Sequence, residues 1–137
     1  MTFEDKIAVM RAVESLMHEG RISEIATLVH PDFVVHEDPG MPYGGVYRGP
    51  DGFVQLVSNV VAAWQDLRTE CLSFLDEPGG DGILLIIRNS GKAPGSGKPV
   101  EVLTSEYWRI VDGTLREGRV WYYDSPAAAA ALTEGLA

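Results

Sequence analysis

The stretch His30-Pro-Asp-Phe-Val-Val-His-Glu37 marks the first strand of the chain and the end of a helical segment. Residues 32–37 combine aromatic and β-branched side chains, which is typical of a strand. Pro31 ends a short helix that the apolar spacing predicts over residues 23–29. Residues 38–49 hold two prolines and four glycines, which predicts an irregular loop. Residues 32–37 are therefore predicted to form the first strand, and residues 38–49 an irregular loop.

Two longer helices are predicted on either side of this stretch. The first has an apolar stripe at three- and four-residue spacing, formed by Phe3, Ile7, Met10, Val13 and Met17. Pro50 suits the first position of the other helix. The stripe of that helix is formed by Phe53, Leu56, Val57, Val60 and Trp64.

Strand patterns dominate the second half of the chain, over residues 67–76, 82–89, 100–111 and 115–124. Turn signals separate them, among them Asp112-Gly113, which favours a tight hairpin. Helices first and an antiparallel meander afterwards predict an α+β domain with helices over one face of a sheet. A length of 137 residues is that of one domain, which we expect to span residues 1–137.

The composition excludes several classes of function. The net charge of −9 opposes binding to nucleic acid. The apolar runs are too short for a membrane span, and the N-terminus does not read as a secretory signal, so we expect a cytoplasmic protein without a membrane partner. Cys71 is the sole cysteine and is interpreted as a small buried side chain. No glycine-rich phosphate motif follows a strand, so no cofactor is expected.

The order of elements resembles the nuclear transport factor 2-like fold over essentially the whole chain. The text of residues 30–37 and 42–49, and the closing Tyr122-Tyr123-Asp124, look like SnoaL-like members of that superfamily. The resemblance implies a cone-shaped, curved antiparallel sheet whose concave face is covered by three N-terminal helices. Such a sheet encloses a pocket, for which the expected partner is an apolar small molecule.

The closest functional resemblance is to ketosteroid isomerases, which implies roles for particular residues. Their catalytic base falls on Asp38 and their protonated carboxyl donor near Glu106, while their helix-1 tyrosine falls on Glu14. Limonene-type epoxide hydrolases share the fold, and their arginine would match Arg88. The positions of the two aspartates of that family carry Ser90 and Trp121 here.

Glu106 shares a strand face with apolar neighbours, including Trp108. Burial among them would raise the pKa of the carboxyl and suit a hydrogen-bond donor or general acid. The alternative is a structural ion pair with Arg88, Arg109 or Arg119. Arg88 itself either binds a carboxylate in the cavity or lies in solvent at the end of its strand.

Mixed charged and aromatic side chains share one face of the last strand: Leu115, Glu117, Arg119, Trp121 and Tyr123. This face could line a wet pocket, or it could be solvated or form a subunit interface. Because an exposed sheet face that bears aromatic residues is a pairing surface, we expect a homodimer.

His36, Glu37 and Asp38 are consecutive ionisable residues at the junction of strand and loop, a position suited to reactive groups. Neighbouring strand residues face opposite ways, so they cannot all enter one pocket. They lack the ligand spacing of a zinc site, and no metal is expected. Asp38 either acts as the base or caps a turn before Pro39.

The aromatic residues complete the set of candidates. Tyr43 and Tyr47 lie among the loop glycines and either close over a ligand or anchor the loop to the core. Trp64, Trp108 and Trp121 are interpreted as core or cavity wall.

Two hypotheses follow from these residues. The first is an enzyme that moves a proton next to a carbonyl in an apolar small molecule, as an isomerase or polyketide-type cyclase does. In it Asp38 is the base, Glu106 the donor or acid, and Arg88, Trp108 and Trp121 shape the pocket. The second is a non-catalytic domain that binds a hydrophobic ligand or dimerises, a view favoured by Glu14 at the tyrosine position.

Overall fold

The computed structural model describes residues 1–136, which form a curved, unclosed sheet of six strands with helices packed against it. The strands are β1 (Val29–Glu37), β2 (Gly45–Arg48), β3 (Gln65–Asp76), β4 (Gly82–Lys92), β5 (Pro99–Val111) and β6 (Thr114–Tyr122). The helices are α1 (Phe3–His18), a 3-10 helix (Ile22–Leu28), α2 (Gly49–Ala63) and α3 (Ser125–Thr133). None of the helices within residues 1–136 is both long and apolar enough to cross a membrane.

The sheet has the order β2-β1-β6-β5-β4-β3. All neighbouring strands are antiparallel except β1 and β6, which run parallel. The first strand of the sheet thus pairs with the last along the chain. The predicted α+β class, with three N-terminal helices over a curved sheet, is confirmed.

The loop predicted over residues 38–49 contains a strand that the prediction missed. Val46 and Tyr47 of β2 pair with His36 and Val35 of β1. Gly45, with a φ of 129°, lets the chain turn into this short strand. Local glycine content predicted irregular structure, but pairing with a neighbouring strand determines the conformation here.

The two long helices bury the stripes that their spacing predicts. Thr2 caps α1, since its hydroxyl accepts from the backbone N–H of Asp5 and the Asp5 carboxylate accepts from that of Thr2. The core side of α1 is formed by Val9, Met10 and Val13, and that of α2 by Phe53, Leu56 and Val57. Both helices lie over the concave face of the sheet.

A buried lysine holds α1 to the turn between β3 and β4. The Lys6 ammonium group donates to Asp76 Oδ1 at 2.8 Å and to the carbonyl oxygens of Gly80 at 2.8 Å and Gly82 at 3.1 Å. These acceptors compensate for the loss of water around the charge. The contact fixes the start of the helix that covers the concave face.

Candidate functional site

A cavity of about 120 Å³ lies between the concave face of the sheet and helices α1 and α2. Its volume is of the order of an apolar cavity that holds one benzene ring. Most of the lining is apolar, and its polar or ionisable members are Glu14, Glu37, Thr69, Asn89, Glu106, Trp108 and Tyr122. Such a cavity suits a small apolar molecule with few polar groups.

Glu37 reaches the cavity from the last position of β1. Phe33, Val35 and Glu37 alternate along the strand and are all buried, so they share its inner face. Glu37 is only 5% exposed. Within residues 1–136 its Oε1 atom has no hydrogen-bond partner. An unpaired buried carboxyl oxygen is costly, and it is available to a ligand.

The pKa of Glu37 is raised to about 9. Burial is the main cause, because it removes the hydration that the carboxylate would need. The negative charges of Glu106 and Asp38 add to the increase, and hydrogen bonding to Tyr122 opposes it. At neutral pH Glu37 is therefore a neutral acid that can donate a hydrogen bond.

Glu106 faces the same cavity from β5 and is held by neighbouring donors. The Trp108 indole N–H donates to Oε1 at 3.1 Å, and the Thr104 hydroxyl donates to Oε2 at 3.4 Å. The Asn89 amide donates in turn to the Thr104 hydroxyl at 3.2 Å. These contacts fix the orientation of the carboxyl group.

The pKa of Glu106 is raised to about 7. Burial raises it, the hydrogen bonds from Trp108 and Thr104 oppose the rise, and the negative charge of Glu14 adds to it. Glu106 thus exchanges its proton near neutral pH, whereas Glu37 keeps its own. A pair of carboxyl groups with separated pKa values is a known basis for assigning acid and base roles.

Tyr122 brings a phenol to the cavity from β6 and continues into a hydrogen-bonded chain. Its hydroxyl lies 2.5 Å from that of Tyr43, and the Trp64 indole N–H donates to the Tyr43 hydroxyl at 3.3 Å. Burial raises the pKa of Tyr43 to about 12, so this hydroxyl keeps its proton. Either hydroxyl can be the donor in the bond between Tyr43 and Tyr122.

The structure places the predicted site residues in four locations. Glu14, Glu37, Glu106 and Trp108 line the cavity. Tyr43 and Trp64 are buried behind its wall and bond to each other. The Tyr47 hydroxyl donates to the Tyr43 carbonyl at 2.8 Å, so these tyrosines anchor the loop rather than form a flap.

Asp38, the residue predicted as the base, does not line the cavity. Its Oδ1 accepts from the Gly40 N–H at 2.9 Å and its Oδ2 from the Tyr122 N–H at 3.1 Å. The carboxylate therefore caps the turn after β1 and ties it to β6. The carboxyl group that enters the cavity belongs to the preceding residue, Glu37, because alternation along β1 turns that side chain inward.

The remaining predicted ligand contacts, His36, Arg88, Arg119 and Trp121, lie outside the cavity lining. His36 is the register partner of Arg119, so both lie on the outer face of the sheet. Arg88 pairs there with Glu70 at 3.1 Å and Glu101 at 3.3 Å. Trp121 is 51% exposed. These four assignments to the pocket are corrected accordingly.

An irregularity in β6 explains the error for Arg119 and Trp121. Leu115 pairs with Ile110 and Glu117 with Arg109, so Arg116 is an extra residue in the strand. Such a bulge reverses the alternation of faces beyond it. Leu115 is buried, yet from Gly118 onward the inward residues are the even-numbered ones, among them Val120 and Tyr122.

Arg88 was misplaced for a different reason. The run Ile83-Leu-Leu-Ile-Ile87 is apolar on both faces, so alternation cannot show which face lies inward. Ile83, Leu85, Ile87 and Asn89 are the inward residues. Asn89 and Tyr122 are therefore functional candidates that the sequence did not single out. The polar Asn89 at the end of this run was the available signal.

Comparison with known proteins assigns the family. The model of the SnoaL-like domain matches residues 9–118, which is most of the chain. The chain belongs to the SnoaL-like domain family. No curated protein matches the sequence of this SnoaL-like chain.

Solved structures share the fold of this SnoaL-like protein at low sequence identity. An NTF2-like protein of unknown function from Burkholderia pseudomallei has a TM-score of 0.82 at 18% identity, with 97% of this chain and 99% of that chain covered. TerC co-crystallised with polyporic acid has a TM-score of 0.81 at 17% identity, with 95% and 99% covered. A Catenulispora acidiphila protein with a ketosteroid isomerase-like fold, in complex with trimethylamine, has a TM-score of 0.74 at 13% identity, with 89% and 92% covered. These similarities establish the nuclear transport factor 2-like fold.

Proposed function

We propose that this protein binds a small apolar carbonyl compound in its cavity and moves a proton on the carbon next to the carbonyl. The observation that carries this proposal is the pair Glu37 and Glu106, two carboxyl groups facing one apolar cavity. An isomerase and a polyketide-type cyclase both begin with this proton transfer.

Glu106 is the proposed base. A base works best when its pKa lies near the working pH, and the pKa of Glu106 is about 7. Its carboxylate takes the proton from the carbon, and the bonding electron pair moves into an enolate. Trp108 and Thr104 hold the carboxylate during this step. Return of the proton to another carbon completes an isomerisation and restores Glu106.

Glu37 is the proposed donor to the carbonyl oxygen. Because this carboxyl stays protonated at neutral pH, it can donate a hydrogen bond that strengthens as negative charge develops on the oxygen. Its Oε1 has no partner among the described residues, so the group is free to meet a ligand. Tyr122 places a phenol in the same lining as Glu37. It supplies the phenol that the resemblance implies from helix 1, where this chain carries Glu14.

The test is exchange of the α-hydrogens of cyclohexanone for deuterium, followed by NMR. Exchange should rise as Glu106 loses its proton near pH 7 and fall as Glu37 loses its proton near pH 9, with a maximum near pH 8. Glu106→Gln should slow exchange about 10²- to 10⁴-fold, the usual contribution of a general base. Glu101→Gln, on the outer face beside Arg88, is the matched control.

Asp38→Asn distinguishes the two candidate bases. Since the Asp38 carboxylate already accepts two backbone N–H groups, we expect this variant to keep exchange while Glu106→Gln loses it. Loss of exchange in Asp38→Asn, with a normal rate in Glu106→Gln, would overturn the assignment.

A second candidate function is ligand binding without turnover. Glu14 lines the cavity at the position where the resemblance calls for a tyrosine donor, and this observation favours it. In that case cyclohexanone raises the melting temperature but its hydrogens do not exchange. Exchange above the buffer rate would exclude this candidate.

A further inference from the structure

The carboxyl groups of the cavity come from three different elements and have no basic counterpart in its lining. Glu14 comes from α1, Glu37 from β1 and Glu106 from β5. Within the described part of the chain, no lysine, arginine or histidine lines the cavity. The charged carboxylates of this lining therefore repel an anionic ligand and attract a cation.

Two lining residues contact a basic side chain that lies outside the lining: His18 Nε2 is 4.0 Å from Glu14 Oε1 and 2.8 Å from Thr69 Oγ1. The other basic side chains make contacts elsewhere. Lys6 bonds to Asp76 and backbone carbonyls, and Arg88 pairs with Glu70 and Glu101 on the outer face. The Arg11 guanidinium lies over the Phe74 ring, with its central carbon 5.5 Å from the ring centroid. None of these groups enters the lining to neutralise the carboxyl cluster.

The unpaired oxygen of Glu37 is an independent sign of a missing partner. This side chain is 5% exposed, lines the cavity, and its Oε1 has no hydrogen bond within residues 1–136. Buried carboxyl oxygens normally accept hydrogen bonds. An ammonium group offers N–H donors and a positive charge together.

Aromatic rings form part of the same wall. Trp108 and Phe53 both line the cavity, and their ring centroids are 5.6 Å apart. The faces of such rings attract cations, most strongly when water is excluded. An apolar body carrying one positive charge thus finds aromatic side chains and carboxyl groups in one lining.

We propose that the cavity selects small apolar molecules that carry a positively charged nitrogen, and that it excludes carboxylates and phosphates. This inference rests on the site of the proposed function and names its ligand class, but it does not require turnover. A substrate would then combine the ammonium group with the carbonyl at which Glu106 and Glu37 act.

Binding of a cation should be linked to proton release. A positive charge beside Glu106 favours its carboxylate form, so a proton leaves as the ligand enters and affinity increases with pH, while Glu37 keeps its proton. The other titratable groups facing the cavity are Glu14 from α1 and Tyr122 from β6, while α2, β3 and β4 contribute no ionisable lining residue. His18, whose Nε2 lies 4.0 Å from Glu14 Oε1, also faces this lining from α1. The pH dependence between 6 and 8 is assigned to Glu106, and its loss in Glu106→Gln, which leaves His18 unchanged, separates the two groups.

Three probes that share a benzene ring and differ in the charge of the substituent test the proposal by calorimetry: benzylamine, benzyl alcohol and benzoate. At pH 8 we expect benzylamine to bind at least about tenfold more tightly than benzyl alcohol, equivalent to about 1.4 kcal/mol. Benzoate should show no binding. The preference for benzylamine should shrink at pH 5.5 and in the double variant Glu37→Gln/Glu106→Gln, and remain in Glu101→Gln. Heats in buffers of different ionisation enthalpy should reveal released protons.

Two results would overturn the inference. One is binding of benzyl alcohol as tight as that of benzylamine at pH 8, and the other is measurable binding of benzoate. Because these measurements use probes without a carbonyl next to exchangeable hydrogens, they are independent of the cyclohexanone assay. Failure of exchange with a clear preference for benzylamine would reject proton transfer and retain the cation site.

Discussion

Replacing Glu37 with glutamine should change how the stability of the protein depends on pH. The folded protein keeps the Glu37 proton up to a pKa of about 9, whereas the unfolded chain releases it near the ordinary value of 4.5. Between these values the folded state binds more protons, so wild-type stability is full below pH 4.5 and falls as pH rises towards 9. Glutamine has nearly the same shape and cannot ionise, so this loss should disappear.

The magnitude follows from the pKa values. Within this window the contribution of Glu37 falls by up to about 1.4 kcal/mol for each pH unit. From pH 5 to pH 8, the free energy of unfolding of Glu37→Gln should therefore rise relative to wild type by about 4 kcal/mol as an upper limit. Because Glu106 titrates in both proteins, the comparison isolates Glu37.

The assay is urea unfolding followed by tryptophan fluorescence at pH 5, 6, 7 and 8. Glu4→Gln removes an exposed carboxyl from α1 and serves as the control, for which we expect a nearly constant difference from wild type. A difference between Glu37→Gln and wild type that stays constant over this range would refute the reasoning, since Glu37 would then not retain its proton in the folded state.

Three further predictions concern the framework of the site. Lys6→Met should lower the free energy of unfolding by about 3 kcal/mol in urea, because it leaves buried acceptors unpaired, whereas Lys98→Met at an exposed ion pair should cost less than about 1 kcal/mol. Gly118→Ala should displace the Trp108 ring, since a Cβ at residue 118 would overlap it, and cost about 1–3 kcal/mol in the same assay. If this variant matches wild type in stability and in cyclohexanone exchange, the packing argument is wrong. Trp121 on the outer face of β6 and Tyr123 directly after that strand are 51% and 80% exposed, so we expect a homodimer in light scattering and a monomer for the Trp121→Glu variant. A monomeric wild type would reject that interface.

The sequence predicted the fold well because its signals are long and redundant. Apolar stripes define α1 and α2, and the strands that follow are separated by clear turns. The strand β2 escaped prediction because only its pairing with β1 makes it a strand. A helix or strand pattern that extends over many residues identifies its element even when a single position departs from the pattern.

The site was predicted less well because each assignment depends on the face of a single strand position. Glu106 and Trp108 were placed correctly by the regular alternation of β5. The bulge at Arg116 reversed the faces of β6 beyond it. The catalytic carboxyl was predicted at Asp38, one residue after Glu37, which is the side chain that lines the cavity. A single register step moves a side chain from cavity to solvent, and a sequence pattern does not fix that step.

The central claim is that one small cavity holds two carboxyl groups with separated pKa values. Carbon-13 NMR of the glutamate side-chain carboxyls over pH 4–10 tests it most directly, with Glu37→Gln and Glu106→Gln to assign the signals. We predict one carboxyl that titrates near pH 7 and another that remains protonated at pH 7 and titrates near pH 9. Titration of both groups at the ordinary value near 4.5 would contradict the account.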